Sequence, residues 1–377
     1  MKTILILSPQ NWNHLFVSKH HYAIELAKMG NKVYFVNPPS VFPNFTVKLK
    51  HAPGYDNLTL VEFGYLLPFH LFLKYQITPI FRIQLNWIIK RIKKKVNSID
   101  EIWNFNPSIF FNNSSFDAKK EIVFIYDYYD LTAYDYSQIK VDLFVSISTF
   151  LLNQFRAYNV PKLKLNHALS APFISFATNR LNLITHGSRQ RIQNKLNVGF
   201  SGNIFHHHFD YKTFQYILKK NQLVDFHLWG EHNIDNKYVC SKDIKAFIEY
   251  INSAPNVFLH GNLHPNNLAI EYSKIDLFLC CYDANSAING GNSHKIMEYL
   301  STGNLIVSNY LFEFSSLKDL ILMPETSDNT SLPVLFNEAI HNIDYYNSSE
   351  KIINRCTYSL QNTYKKNINK ISAAIGD

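Results

Sequence analysis

The same local order occurs twice in this chain: an apolar run of strand length, a stretch with helical period, and a second apolar run. The first block is Thr3–Leu7, a helix from about Ser18 to Met29 closed by Gly30, and Lys32–Val36. The second is Val198–Gly202, a helix over Tyr211–Lys220, and Asp225–Trp229. A β-α-β order supplies the crossover that parallel strands need, so each block predicts a parallel sheet with its working edge at the strand C-termini. Further strands are predicted at Leu58–Phe63, Glu101–Asn104, Glu121–Tyr126 and Leu143–Ser146, then at Val257–Leu259, Asp276–Cys281 and Leu305–Ser308.

A chain of 377 residues exceeds one ordinary core. We expect an N-terminal Rossmann-like domain over 1–168 and a linker over 169–197, where polar residues such as Thr178, Asn179, Arg180, Ser188, Arg189 and Arg191 displace the strand signal. A second Rossmann-like domain follows over 198–340, and a helical segment over 341–377 packs across the two. The fold class is α/β, with two lobes facing across a cleft. Hydrophobic residues at 46% and charged ones at 18% exclude a disordered chain. The opening apolar run stops at Ser8-Pro9, too short for a signal peptide, and no apolar stretch reaches the roughly 18 residues of a spanning helix. A cytoplasmic location is expected. Cys240, Cys280, Cys281 and Cys356 have neither zinc spacing nor a CxxC pair and read as reduced thiols.

The formal net charge of +8 calls for an anionic partner: a phosphorylated metabolite, an acidic membrane surface or nucleic acid. Its densest run is Lys90-Arg91-Ile92-Lys93-Lys94-Lys95. Residues 75–96 admit two readings. One is an amphipathic helix with Ile80, Ile83, Leu85, Trp87 and Ile88 on lipid and the basic residues on anionic headgroups, giving peripheral attachment at the inner face of the plasma membrane. The other is a core-packed helix with a solvated basic end. No nucleic-acid module accompanies the charge.

The most informative segment is Asn289–Ser308. A buried strand leads into a polar loop carrying Gly290, Gly291, Asn292 and Ser293; Ser293 is placed to cap a helix to about Ser301, and Gly303 to close it in a left-handed conformation. Paired glycines before a helix start let backbone approach a ligand, and the free N–H groups and dipole there favour phosphate. Lys295 and Glu298, three residues apart, share a face. They read either as a phosphate-neutralising cation with an acceptor for ribose hydroxyls, or as an exposed ion pair on a surface helix.

The stretch His294-Lys295-Ile296-Met297-Glu298-Tyr299-Leu300 with Gly303 resembles the carboxyl-domain signature of GT-B glycosyltransferases of the family-4 type. Asn256–Leu263 resembles that family's short strand and Gly turn, and Val198–Asn203 its first strand and phosphate-side loop. In the first half, Ile125–Asp130 and Trp103–Pro107 resemble a bacterial subgroup that includes teichuronic-acid-type transferases. The resemblance implies that Glu298 binds the nucleotide ribose and that Lys295 lies near the diphosphate. It implies a donor site completed by Gly202, Asn203, Gly230, Leu263, Gly290, Gly291, Asn292 and Ser293. The donor would be a UDP-, GDP- or dTDP-sugar used as substrate, with no cofactor and no metal. The acceptor would be a glycan or lipid-linked sugar of bacterial surface polysaccharide synthesis. Retaining members carry a second Glu eight residues before the ribose-binding one; Gly290 stands there, so the stereochemical course stays open.

Asp127, at the end of a predicted strand, and Asp130 are the candidate catalytic carboxylates that would take the acceptor hydroxyl proton; each also suits a turn or helix cap. His14, His20 and His21 read as surface or helix-start residues near the acceptor side. The triplet His206-His207-His208 cannot converge on one ion from a regular loop and lacks a completing ligand set. Two rival functions share the fold: a sugar-nucleotide epimerase and a non-catalytic partner protein.

Overall fold

The computed structural model describes residues 1–13, 16–40, 46–65, 67, 74, 78–110, 113–126, 140–185, 195–206, 208–231, 242–283 and 292–376. The chain divides into two compact units, Met1–Asn166 with Tyr364–Asp377, and His167–Thr363.

The first unit contains β1 (Thr3–Leu7), α1 (Ser18–Lys28), β2 (Lys32–Val36), β3 (Lys48–His51), β4 (Leu58–Glu62), α2 (Thr78–Val96), β5 (Glu101–Asn104), β6 (Lys120–Ile125), β7 (Leu143–Ser146), α3 (Thr149–Asn153) and β8 (Lys162–Lys164). Its eight strands run in the order β3-β4-β2-β1-β5-β6-β7-β8, parallel except for the exposed edge strand β3, which hydrogen-bonds antiparallel to β4. The central strands are apolar on both faces, as helix-covered parallel strands must be. β3 (Lys-Leu-Lys-His) and β8 escape prediction because both are short and charged.

The second unit contains α4 (Ala171–Thr185), β9 (Asn197–Ser201), α5 (Tyr211–Lys220), β10 (Asp225–Trp229), α6 (Lys242–Ser253), β11 (Val257–Gly261), α7 (Pro265–Tyr272), β12 (Leu277–Cys280), α8 (His294–Thr302), β13 (Leu305–Ser308), β14 (Ile321–Leu322), α9 (Leu332–His341), α10 (Ile343–Tyr346) and α11 (Ser349–Leu360). Six parallel strands run in the order β11-β10-β9-β12-β13-β14. From β9 the chain steps outward to β10 and β11, then returns to β12 on the other side. That reversal puts a crevice above the C-terminal ends of β9 and β12, where open α/β sheets bind ligands. The last helix, α12 (Tyr364–Ala374), belongs to the first unit. There Asn367 donates to the Tyr22 hydroxyl at 3.3 Å and to the Asn166 carbonyl at 3.1 Å.

Several expectations need correction. The stretch 169–197 expected as a linker contains α4, whose Phe173 and Ala177 are buried in cores of the second unit. The tail 341–377 is helical as expected, and its helices are shared between the units, α10 and α11 in the second and α12 in the first. On α2, Leu85 and Ile88 do not face outward: with Phe81, Ile89, Ile92 and Val96 they are buried in the first unit's core. Ile80 and Ile83 are exposed, and Arg91 lies over the Trp87 ring at 3.7 Å. No described helix is long and apolar enough to cross a membrane.

His20 stands in the first turn of α1, the helix-start alternative, and not at the surface. It is buried between Phe16 and Phe35, with Nε2 3.0 Å from the Asn11 carbonyl oxygen. His21 stacks on Tyr364, and burial pushes its pKa down to about 4. His14 and Cys240 lie outside the described residues; Cys280, Cys281 and Cys356 are free and buried.

Candidate functional site

Three neighbouring strands of the second unit, β9, β10 and β11, end in glycine-bearing turns that hold one another. Gly202 N–H donates to the Trp229 carbonyl at 2.9 Å, and Gly230 N–H to the Gly261 carbonyl at 2.9 Å. Gly202 and Gly230 have φ of 147° and 137°, where a side chain is strained. A Cβ on Gly230 would overlap the Gly202 carbonyl oxygen, and one on Gly202 would overlap the Lys295 ammonium. These turns therefore form a bare backbone shelf beside Lys295. Gly230→Ala should destabilise the protein by about 2 kcal/mol and lower its melting temperature by several degrees, read by calorimetry. An unchanged melting temperature would show that the shelf yields freely.

Across the switch point, α8 supplies the charged groups. Ser293 occupies the N-cap position with extended backbone, but its side chain makes no capping hydrogen bond, contrary to expectation. Gly303 closes the helix at φ 75°, as its sequence position predicts. The helix is nailed to the end of β9 by Tyr299, whose hydroxyl accepts from Ser201 N–H at 2.7 Å and lies 3.0 Å from Ser201 Oγ. Tyr272 from α7 donates to the same Ser201 Oγ. This buried triad sets the height of Lys295 and Glu298 over the shelf. The Tyr of the Glu-Tyr-Leu signature was visible in sequence, but its two partners come from elements 71 and 98 residues apart from it or from each other.

Lys295 is 6% exposed, and its ammonium donates to the Tyr282 hydroxyl and lies 4.8 Å above the Phe200 ring and 4.9 Å from that of Tyr282. Of the two readings of Lys295 and Glu298, the exposed ion pair is not formed: Glu298 is half-buried and is not bonded to Lys295. Its side chain is 17% exposed, and its one ion-pair partner among the described residues is His294 Nε2 at 4.0 Å. Burial raises its pKa to about 8, against the opposing pull of Lys295. A cation held on aromatic rings and a carboxyl with no hydrogen-bond donor among the described residues therefore sit at the mouth of a parallel sheet.

The remaining predicted donor residues separate. Asn292 is buried, its carbonyl 2.9 Å from Nε2 of His167, a half-buried residue whose pKa falls to about 4 through desolvation. Asn203 is exposed and its Oδ1 accepts from Phe205 N–H at 2.9 Å, closing its own turn. Leu263 is partly buried and packs against the core that contains Trp229 and Tyr272. Gly290, Gly291, Asp127 and Asp130 lie outside the described residues. Of the histidine triplet, His208 pairs with Asp283 at 3.1 Å, and His206 lies beside Tyr282 with ring centroids 6.1 Å apart; His207 is outside the described residues. Sequence reasoning missed Tyr282 and His167, since only folding brings them to Lys295 and Asn292, and it missed Asp283, the partner of His208.

Solved structures match this chain from end to end. A glycosyltransferase from Rickettsia africae ESF-5 superposes with a TM-score of 0.67 at 12% identity, covering 100% of this chain and 99% of that one. A trehalose-6-phosphate structure from E. coli, bound with UDP-2-fluoro glucose, gives 0.68 at 9% identity, covering 100% and 99%. WaaG, a glycosyltransferase involved in lipopolysaccharide biosynthesis, gives 0.63 at 10% identity, covering 99% and 100%. The chain has the GT-B fold. No protein-family model matches it, and no curated protein matches its sequence. In GT-B terms the shelf and α8 lie in the carboxyl-terminal unit, at the switch point of its sheet. At 9–12% identity the likeness is one of fold, so the chemistry has to be argued from Lys295, Glu298 and the shelf.

Proposed function

We propose that this protein is a glycosyltransferase that uses a nucleoside diphosphate sugar, with the diphosphate at the Gly202 shelf and Lys295 and the ribose at Glu298. The observation that carries the reading is the Lys295 ammonium resting against Gly202, where no side chain fits, at the end of the central strand β9. An anion there meets a positive charge whose partners are aromatic faces and a hydroxyl, none of which neutralises it. The helix dipole of α8 adds to the same potential.

In the transfer, the bond between the anomeric carbon and the diphosphate oxygen breaks while an acceptor hydroxyl bonds to that carbon. Negative charge grows on the departing diphosphate, and Lys295, itself held out of water against the Phe200 and Tyr282 rings, stabilises it. The acceptor's proton passes to a carboxylate, for which Asp127 and Asp130 remain the proposed candidates. The acceptor class proposed is a glycan or lipid-linked sugar of bacterial surface polysaccharide synthesis. The teichuronic-type resemblance of Ile125–Asp130 and the net charge of +8 support it. Peripheral membrane contact through α2 is proposed in reduced form, with Ile80 and Ile83 as its exposed apolar residues.

The test is nucleoside diphosphate release from UDP-, GDP- and dTDP-sugars, with and without a lipid extract supplying acceptor. Release that requires the extract is the expected result. Conversion of the sugar without acceptor would indicate an epimerase, and failure of every donor to bind would remove the transferase reading.

A further inference from the structure

A second concavity lies in the same unit, on the face of the sheet rather than at its strand ends. On β10, Asp225, His227 and Trp229 alternate onto one face; on the edge strand β11, Phe258 and His260 join them. The four rings are nearly parallel. His227 meets Phe258 at 5.1 Å and 16°, and Trp229 meets His260 at 5.0 Å and 17°. His227 meets His260 at 5.2 Å and 12°, and Trp229 at 6.0 Å and 21°. Helix α6 covers the opposite face of these strands, where Phe226, Leu228, Phe247 and Ile251 are buried together. Among the described residues, the ring face is bordered by Lys195 and Asn197, the end of α7 and the residues after it. The result is a pocket of about 510 Å³, within the range of roughly 300–1,000 Å³ usual for small-molecule sites. Phe258 keeps 42% of its surface exposed, and His260 is exposed as well.

The rim is charged but balanced. Lys195 pairs with Asp225 at 3.0 Å, and Lys274 with Glu271 at 2.7 Å, so the four lining charges cancel. The imidazoles are arranged to stay neutral. Asn197 gives its amide N–H to the Lys274 carbonyl, so its Oδ1 accepts from His227 Nε2–H at 3.2 Å. His227 Nδ1 is then the acceptor for His260 Nε2–H at 2.9 Å. Burial and the neighbouring ring lower the pKa of His227, and burial that of His260.

From this ring floor and balanced polar rim we infer that the pocket binds a neutral saccharide ring, at a site separate from the strand-end shelf. A pyranose has a hydrocarbon face that gains by leaving water for an aromatic surface, and a belt of hydroxyls needing donors and acceptors together. The exposed Phe258 and His260, with His227 between them and buried Trp229 behind, provide the first, and the paired carboxylates and ammoniums of the rim provide the second. A polyphosphate or nucleic acid would find no net positive charge here, and a purely apolar ligand would leave the rim unused. In a glycan-handling protein, such a site would hold a sugar unit away from the reacting centre.

The site is tested by saturation-transfer NMR with glucose, galactose, maltose and cellobiose as probes, in protein saturated with UDP. The expected result is transfer to the ring C–H protons of at least one sugar, persisting with UDP present. Phe258→Ala should weaken that binding about fivefold, the scale of one aromatic contact, while Phe258→Tyr retains it. Absence of transfer from all four sugars overturns the inference. So does transfer abolished by UDP, which would put the sugar at the strand ends, or affinity unchanged in Phe258→Ala. Self-association of the wild type that Phe258→Ala abolishes would also overturn it, making the array a protein interface.

Discussion

Lys295→Met is expected to lower turnover with a nucleoside diphosphate sugar by roughly 100- to 1,000-fold, the loss seen when one preorganised group facing a developing oxyanion is removed. The effect is large because nothing nearby substitutes. The described groups around the Lys295 ammonium are the Tyr282 hydroxyl, the Phe200 and Tyr282 rings and the Gly202 backbone, none of them cationic. Met preserves the packing of the stem, so the fold should not suffer; removing a 6%-exposed charge should leave the melting temperature equal or higher. Donor affinity, read by calorimetric titration, should fall alongside turnover. Normal turnover in Lys295→Met would remove the site from the reaction, and a collapse of thermal stability would recast Lys295 as structural.

Glu298→Gln should separate stability from binding. The carboxyl's pKa rises from 4.5 to about 8 because burial penalises its charge more than Lys295 rewards it. A raised acid pKa means that the folded state holds the proton more tightly than the unfolded chain. Stability contributed by this group is therefore greatest below pH 4.5 and declines as pH rises to about 8, then levels. Glutamine mimics the protonated form at every pH. With the side chain 17% exposed, Glu298→Gln should gain about 1–3 kcal/mol at pH 8 and almost nothing at pH 4.5, measured by denaturant unfolding. Binding should move the other way. If ribose hydroxyls donate to this carboxylate, affinity for the donor should climb with pH toward 8 in the wild type and become weak and flat in the variant. A variant that binds the donor as the wild type does would refute the ribose assignment, whatever its stability.

This conflict between stability and binding is what makes the carboxyl informative. An acid without hydrogen-bond donors is costly inside a fold, and such sites are more often functional than structural. The expectation of a surface ion pair assumed that residues three apart on a helix meet each other in solvent. Here both side chains turn toward the sheet, because Tyr299 anchors α8 to Ser201 and rolls its 295/298 face inward.

The parallel architecture was legible because β-α-β order and buried strand patterns are local properties. The strands Glu101–Asn104, Leu143–Ser146, Asp225–Trp229 and Leu305–Ser308 coincide with their predicted bounds. The edge strand Lys48–His51 and the helix Ala171–Thr185 were not legible. Edge strands gain from a neighbour's hydrogen bonds what their composition lacks, and the helix, which buries Phe173 and Ala177 and packs Ile174, Leu181 and Ile184 on the second unit's cores, has its apolar spacing interrupted by Thr178, Asn179 and Arg180. Lys295 and Glu298 could be picked from the chain by their motif and spacing. Their environment could not, because it is made by Gly202, Phe200, Tyr272 and Tyr282 from other strands and helices. Sequence alone thus determined the two sheets and the charged helix that faces one of them, since both follow from residue order and period. Only the tertiary structure decided that the Lys295 charge rests on rings over bare backbone and that burial raises the Glu298 pKa, because burial and through-space charge depend on what the distant parts of the chain bring alongside.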